Sequence, residues 1–169
     1  MKPMRIGILV HGCNLGADTC EDIVWGDKEP QQLGRLTRAI LLYLQFQEVV
    51  QHAEVASIVP GTGVLGVDAG KHTGRREADE TEELLFQRFD EIAGFTSIAQ
   101  QVPQIADVQY RAKLGQELNQ LIHLATNCQD TRSEIPEAAD HFLTRDVDTV
   151  ILVSSPLHLE PQWNGKPSN

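Results

Sequence analysis

Apolar residues fall into two kinds of run along this chain: short unbroken blocks, and longer stretches in which they recur every three or four positions. The blocks at residues 4–10 (MRIGILV) and 147–153 (VDTVILV), with EVASIVPGTG at 54–63, predict strands, being rich in β-branched side chains and too short for buried helices. A further short strand is expected at Leu121–Ala125. Helical spacing appears over Gln31–Gln51, through Leu33, Leu36, Ile40, Leu41 and Leu44, and over Asp79–Ala93, through Leu84, Leu85, Phe89 and Ile92. Two more helices are expected at Asp107–Leu118 and Thr131–Leu143. Strands separated by helices build βαβ units with right-handed crossovers, so the expected class is α/β, three layers around a mainly parallel sheet. The unbroken run Val150–Val153 further predicts a strand covered on both faces. Residues 11–30 read as a long loop, residues 64–76 as a polar loop, and Gly94–Pro103 as an internal excursion.

A length of 169 residues fits one domain, residues 1–158, followed by a polar tail over 159–169. The net charge of -10 argues against nucleic acid or an anionic membrane as the main partner, since either repels the average surface. Cys13, Cys20 and Cys128 are odd in number and widely spaced, which predicts reduced thiols rather than disulfides or a structural metal. The apolar run Ile6–Val10 is too short for a signal peptide or membrane span, so a cytoplasmic protein without membrane insertion is expected.

In a parallel sheet the carboxyl ends of the strands open at one edge, where ligands bind. That edge collects His11, Gly12, Cys13 and Asn14; Gly61, Thr62 and Gly63; Asn127 and Asp130 to Ser133; and Ser154, Ser155 and His158. Gly61-Thr62-Gly63 can turn backbone N–H groups into a nest for an anion, although an ordinary turn uses the same residues. It lacks both the dinucleotide glycine pattern and the triphosphate-binding lysine. Asp130 or Thr131 fits a helix N-cap supported by Glu134, and Arg132 in that first turn invites an anionic partner. His158 is suited to general base work or ligand hydrogen bonding near neutral pH, but no G-x-S-x-G elbow accompanies Ser154 and Ser155. Cys13 beside His11 suggests a thiol nucleophile, against which stands the frequent use of cysteine as a small buried residue.

The order of these motifs resembles the SanA/YdcF-like family over most of the chain. Gly34-Arg35-Leu36-Thr37-Arg38-Ala39 resembles its arginine-bearing helix, Gly61-Thr62-Gly63 its small glycine turn, and Asp79-Glu80-Thr81 its acidic helix start, with Glu80 at the acidic position. Asp130-Thr131-Arg132-Ser133-Glu134 resembles its Asn-Thr-x-Glu-Asn segment, and Val153-Ser154-Ser155-Pro156-Leu157-His158 its Val-Thr-Ser-x-x-His end. Asp130 replaces the family's asparagine, and Leu159-Glu160-Pro161-Gln162 stands where the family continues with a proline-arginine pair and a helix. The resemblance implies a Rossmann-like fold of the soluble kind and makes S-adenosylmethionine a candidate ligand.

Three functions are therefore expected in competition. The first is a small-molecule-binding domain for a nucleotide-like or phosphorylated ligand, with Gly12, Asn14, Arg35, Gly61, Thr62, Gly63, Asp130, Thr131, Ser154 and Ser155 around the ligand. The second is a hydrolase or transferase using His158 as base with Glu80 or Asp130 as acid or orienter, and Arg35 or Arg132 holding an anionic group. The third is a non-catalytic interaction protein or decayed paralogue. Oligomeric state is left open by the sequence.

Overall fold

A computed structural model describes residues 2–12, 20–27, 29, 31–49, 52–61, 76–125, 128 and 131–154. Its centre is a parallel sheet of three strands. The middle strand, β1 (Met4–Val10), pairs with β4 (Ala53–Pro60) on one side and β5 (Thr149–Val153) on the other. Ile8 stands opposite both Ile58 and Ile151, which fixes the register across all three. Beyond β4, the expected strand at Leu121–Ala125 is represented by a single parallel bridge between Ile58 and Ile122, with the His123 N–H donating to the Ile58 carbonyl at 2.9 Å.

The sequence between the strands is helical: α1 (Cys20–Val24), α2 (Arg35–Val49), α3 (Glu77–Arg88), α4 (Thr96–Gln101), α5 (Val108–Leu121) and α6 (Thr131–Thr144). Alternation along β1 divides the core. Ile6, Ile8 and Val10 belong to a large cluster with Leu36, Ile40 and Leu44 of α2, whereas Leu9 joins Val59, Ala138 and Phe142 in a smaller one built with α6. A Cβ at Gly7 would lie 2.7 Å from the Phe142 ring, so the glycine lets α6 approach β1 closely. The observed class is α/β around a small parallel sheet.

Three expectations change. The run Val150–Val153 is not covered on both faces: among the described residues β5 is the sheet edge, and Val150 and Leu152 are 49% and 44% exposed. Residues 94–103 are not an excursion either. Phe95, Ile98, Val102 and Ile105 recur at helical spacing and are buried in the main core, carried by α4 and the 3-10 turns Phe89–Gly94 and Pro103–Ala106. Asp107 then caps α5, accepting from the N–H groups of Gln109 and Tyr110 at 2.7 and 2.9 Å.

Helix α2 begins at Arg35 rather than Gln31, because a short hairpin precedes it. β2 (Gly26–Asp27) pairs antiparallel with β3 (Gln32–Leu33), and Gly26 takes φ +100, a left-handed conformation suited to glycine. Among the described residues no helix is long and apolar enough to cross a membrane.

Candidate functional site

In a βαβ arrangement each strand hands the chain to a helix, so strand carboxyl ends and helix amino ends meet at one edge of the sheet. Here that edge gathers three buried ionisable side chains from the first turns of three helices: Arg35 of α2, Glu77 of α3 and Glu134 of α6. Their exposures are 5%, 8% and 2%. The strand ends beneath them are stitched together by backbone bonds, from the His11 N–H to the Val153 carbonyl at 2.9 Å and from the Gly61 N–H to the Val10 carbonyl at 2.5 Å.

Arg35 is delivered by the segment before it. Trp25 is fully buried, its carbonyl accepts from the Gly34 N–H and the Thr37 hydroxyl at 3.1 and 2.7 Å, and the Arg88 guanidinium lies 5.9 Å from its ring centroid. So anchored, Arg35 directs Nη1 to the carbonyl of His11 at 3.0 Å and to that of Gly12. Burial lowers its pKa, while Glu77 and then Glu134 oppose that shift, and a guanidinium in this setting keeps its charge. The expected ligand-holding arginine thus clamps the end of β1.

The two carboxylates occupy space that glycines leave open. A Cβ on Gly12 would collide with the Glu77 carboxylate, and one on Gly61 with that of Glu134. These residues are therefore needed for close approach, which a turn alone does not explain. Glu77 opens α3 just after Arg76, whose N–H donates to the Asp79 carboxylate at 3.1 Å. Glu134 accepts from the Gly12 N–H, and its Oε1 lies 3.3 Å from His11 Nδ1. Burial pushes the Glu134 carboxyl up to about 7, against the opposing pull of the Gly12 bond and Arg35. Burial, then Arg35, lowers the His11 pKa, favouring the neutral ring. Among the described residues, His11 Nδ1, Glu134 Oε1 and the Ser154 hydroxyl are buried without a hydrogen bond.

A cavity of about 10 Å³ lies at this edge, lined among others by His11, Gly12, Arg35, Gly61 and Glu77. That is room for about one water-sized group. A larger groove of about 400 Å³ lies elsewhere, between α3 and α5, walled by Phe86, Phe89 and Val108 and containing none of these charged residues except its own Asp90 and Arg111.

Of the residues singled out in the sequence, Gly12, Arg35, Gly61 and Ser154 are at the strand ends. Glu80 is half-buried on α3 and is not part of the cavity lining, where Glu77 stands instead. Asn14, Thr62, Gly63, Asp130, Ser155 and His158 lie outside the described residues, as do Cys13 and the side chains of Thr131 and Arg132. Thr131 opens α6. His11, expected at this edge, is found there, and Glu77 and Glu134 are the additions. The sequence points to only a capping role for Glu134, and Glu77 lies between the expected loop at 64–76 and the expected helix start at Asp79, because α3 starts two residues earlier than its apolar spacing indicates. Among the described residues no three His, Cys, Asp or Glu side chains are grouped to hold a metal ion. No family model, curated protein or solved structure matches the chain.

Proposed function

We propose that this chain is a small-molecule-binding domain of Rossmann-like, three-layer organisation and SanA/YdcF-like type, whose ligand lies over the carboxyl ends of β1, β4 and β5. The observation that carries the reading is the burial of Arg35, Glu77 and Glu134 together at that edge. Removing ions from water costs several kcal/mol each, roughly, which apolar packing of the same volume would avoid. Clusters of this kind with a shifted carboxyl concentrate at functional sites. The cluster serves as the floor of the site.

The ligand class is nucleotide-like, with S-adenosylmethionine a candidate through the family resemblance. Calorimetric titration and thermal shift against S-adenosylmethionine, adenosine, AMP and nucleotide sugars test this. Saturable binding of a member of the panel, lost on Glu77→Ala in a folded variant, is expected; no heat and no shift with any member sinks the reading.

A second reading, proton-transfer catalysis in a hydrolase or transferase, is favoured by one observation. A carboxyl near pKa 7 beside a neutral imidazole can give or take a proton at physiological pH. In this form Glu134 and His11 carry the role first assigned to Glu80 and His158. Turnover of a bound ligand that disappears in Glu134→Gln while binding persists distinguishes it from simple binding.

A further inference from the structure

The charge of the floor determines what it can accept. With both carboxylates ionised, Arg35, Glu77 and Glu134 sum to one negative charge in a place sealed from water. Arg35 already donates to the carbonyls of His11 and Gly12. The amino ends of α3 and α6, where an external anion would be attracted, are occupied by the chain's own Glu77 and Glu134. Two buried atoms of the floor, Glu134 Oε1, on a residue 98% buried, and His11 Nδ1, face each other at 3.3 Å without a hydrogen bond among the described residues. Ser154 adds a third buried oxygen without a partner among those residues. A cavity lined by His11, Gly12, Gly61, Arg35 and Glu77 has space for about one water-sized group.

We propose that the site recognises a ligand bearing a compact cationic donor, a primary ammonium, and seats it at the His11–Glu134 pair. This rests on the nucleotide-binding reading and specifies which end of the ligand enters the floor. An ammonium supplies N–H donors to Glu134 Oε1 and, with the His11 proton on Nε2, to His11 Nδ1, and cancels the residual negative charge. In the empty site a proton on Glu134 does the same, so ammonium and proton compete. Binding converts the Glu134 carboxylic acid to carboxylate and releases its proton to solvent, with no bond in the ligand changed. The titratable and charged groups facing Glu134 are His11 after β1, Arg35 on α2, which also interacts with Glu77 on α3, and the Cys128 thiol. Glu134 changes protonation near neutrality, whereas burial and Arg35 lower His11 from 6.5, so affinity for the ammonium rises with pH through about 7. The net charge of -10 steers a cation towards the protein.

Three adenosine derivatives of matched shape test the proposal by calorimetry: 5′-amino-5′-deoxyadenosine, adenosine and AMP. The amine is expected to bind at least about tenfold more tightly than adenosine, the usual scale of one charge-assisted hydrogen bond, and AMP more weakly than either. Near pH 7 amine binding is expected to release about half a proton, measured as a difference in heat between HEPES and Tris buffers. In Glu134→Gln the preference for the amine over adenosine should fall by about tenfold. Should that variant fold poorly, the buffer comparison on the unaltered protein decides. AMP binding as tightly as the amine, or amine binding without proton release, overturns the proposal while leaving a nucleotide site standing. Binding of none of the three overturns the nucleotide reading and this proposal with it.

Discussion

Replacing Glu134 by glutamine keeps the size of the side chain and an oxygen for the Gly12 N–H, but removes the ability to ionise inside the floor. Burial raises this carboxyl from 4.5 to about 7. Between those values the folded chain holds a proton that the unfolded chain has lost. The stability contributed by this group is therefore fully present below 4.5 and lost as pH rises through 7. At about 1.4 kcal/mol per pH unit of displacement, the cost reaches about 3 kcal/mol at pH 8.5 and stays under about 1 kcal/mol at pH 5. Glutamine, always neutral, avoids it. Urea unfolding of both proteins at these two pH values isolates the term, because every other titrating group is shared. Glu134→Gln should gain on the original protein as pH rises, by about 2–3 kcal/mol over that interval, equivalent to roughly 4–12 °C in Tm for a chain of this size. A gap between the two proteins that does not change with pH, or a variant that is the less stable at pH 8.5, refutes the argument that burial holds this carboxyl protonated. A gain in stability with a loss of ammonium binding is the trade expected of a strained functional residue.

Other perturbations probe other parts of the fold. Gly61→Ala puts a Cβ into the Glu134 carboxylate and 2.5 Å from the Gly12 backbone nitrogen, and should cost about 1–3 kcal/mol by urea unfolding; an unchanged midpoint would show that the close approach is unnecessary. His141 stacks on His123 with ring centroids 3.7 Å apart and planes at 5°, while its Nε2 lies 2.9 Å from the Ser57 hydroxyl. Burial, then His123 and Arg145, lowers the His141 pKa, so its contribution to stability is present above 6.5 and declines as pH falls through the depressed folded value. An NMR titration should find its midpoint below 6.5 and moving upward in His123→Gln; a midpoint at or above 6.5 contradicts this. The Cys128 thiol, buried and bonded to Glu137 at 2.9 Å, is pushed up to about 12, so peptide mapping should find it unalkylated by iodoacetamide at pH 8 until the chain is unfolded. Labelling of the folded protein at that residue would count against its burial.

Much of the framework is legible in the sequence where one side chain pattern has one physical explanation. β1 and β4 follow from short runs rich in β-branched residues, and α2 and α5 from apolar spacing that matches the helical turn. The pattern misleads where burial depends on neighbours distant in the chain. Val150 and Leu152 are as apolar as the residues of a central strand, yet their exposure is set by the position of β5 at the sheet edge and of α6 over β1. Phe95, Ile98, Val102 and Ile105 carry a helical period that starts just after Gly94 and runs across Pro103, two residues that suggest a loop.

The site is legible in its backbone and less so in its charges. Gly12, Gly61 and Ser154 follow from strand-end geometry, whereas Arg35 is singled out only by the resemblance of its helix to a family pattern. Arg35 has the position expected of it but gives its Nη1 to carbonyls of its own chain, a partnership no spacing rule indicates. Glu77 and Glu134 look like ordinary acidic residues of helix first turns, a common capping pattern. Only the glycines opposite them show why they are buried: residues 12 and 61 have no Cβ where each carboxylate must lie.

The central claim is that a ligand sits on this floor, and amide NMR during titration with S-adenosylmethionine and 5′-amino-5′-deoxyadenosine tests it most directly. Shifts concentrated at His11, Gly12, Gly61 and Ser154 are predicted. Shifts confined to the groove of Phe86, Phe89 and Val108, or none at saturating concentrations of either compound, contradict it.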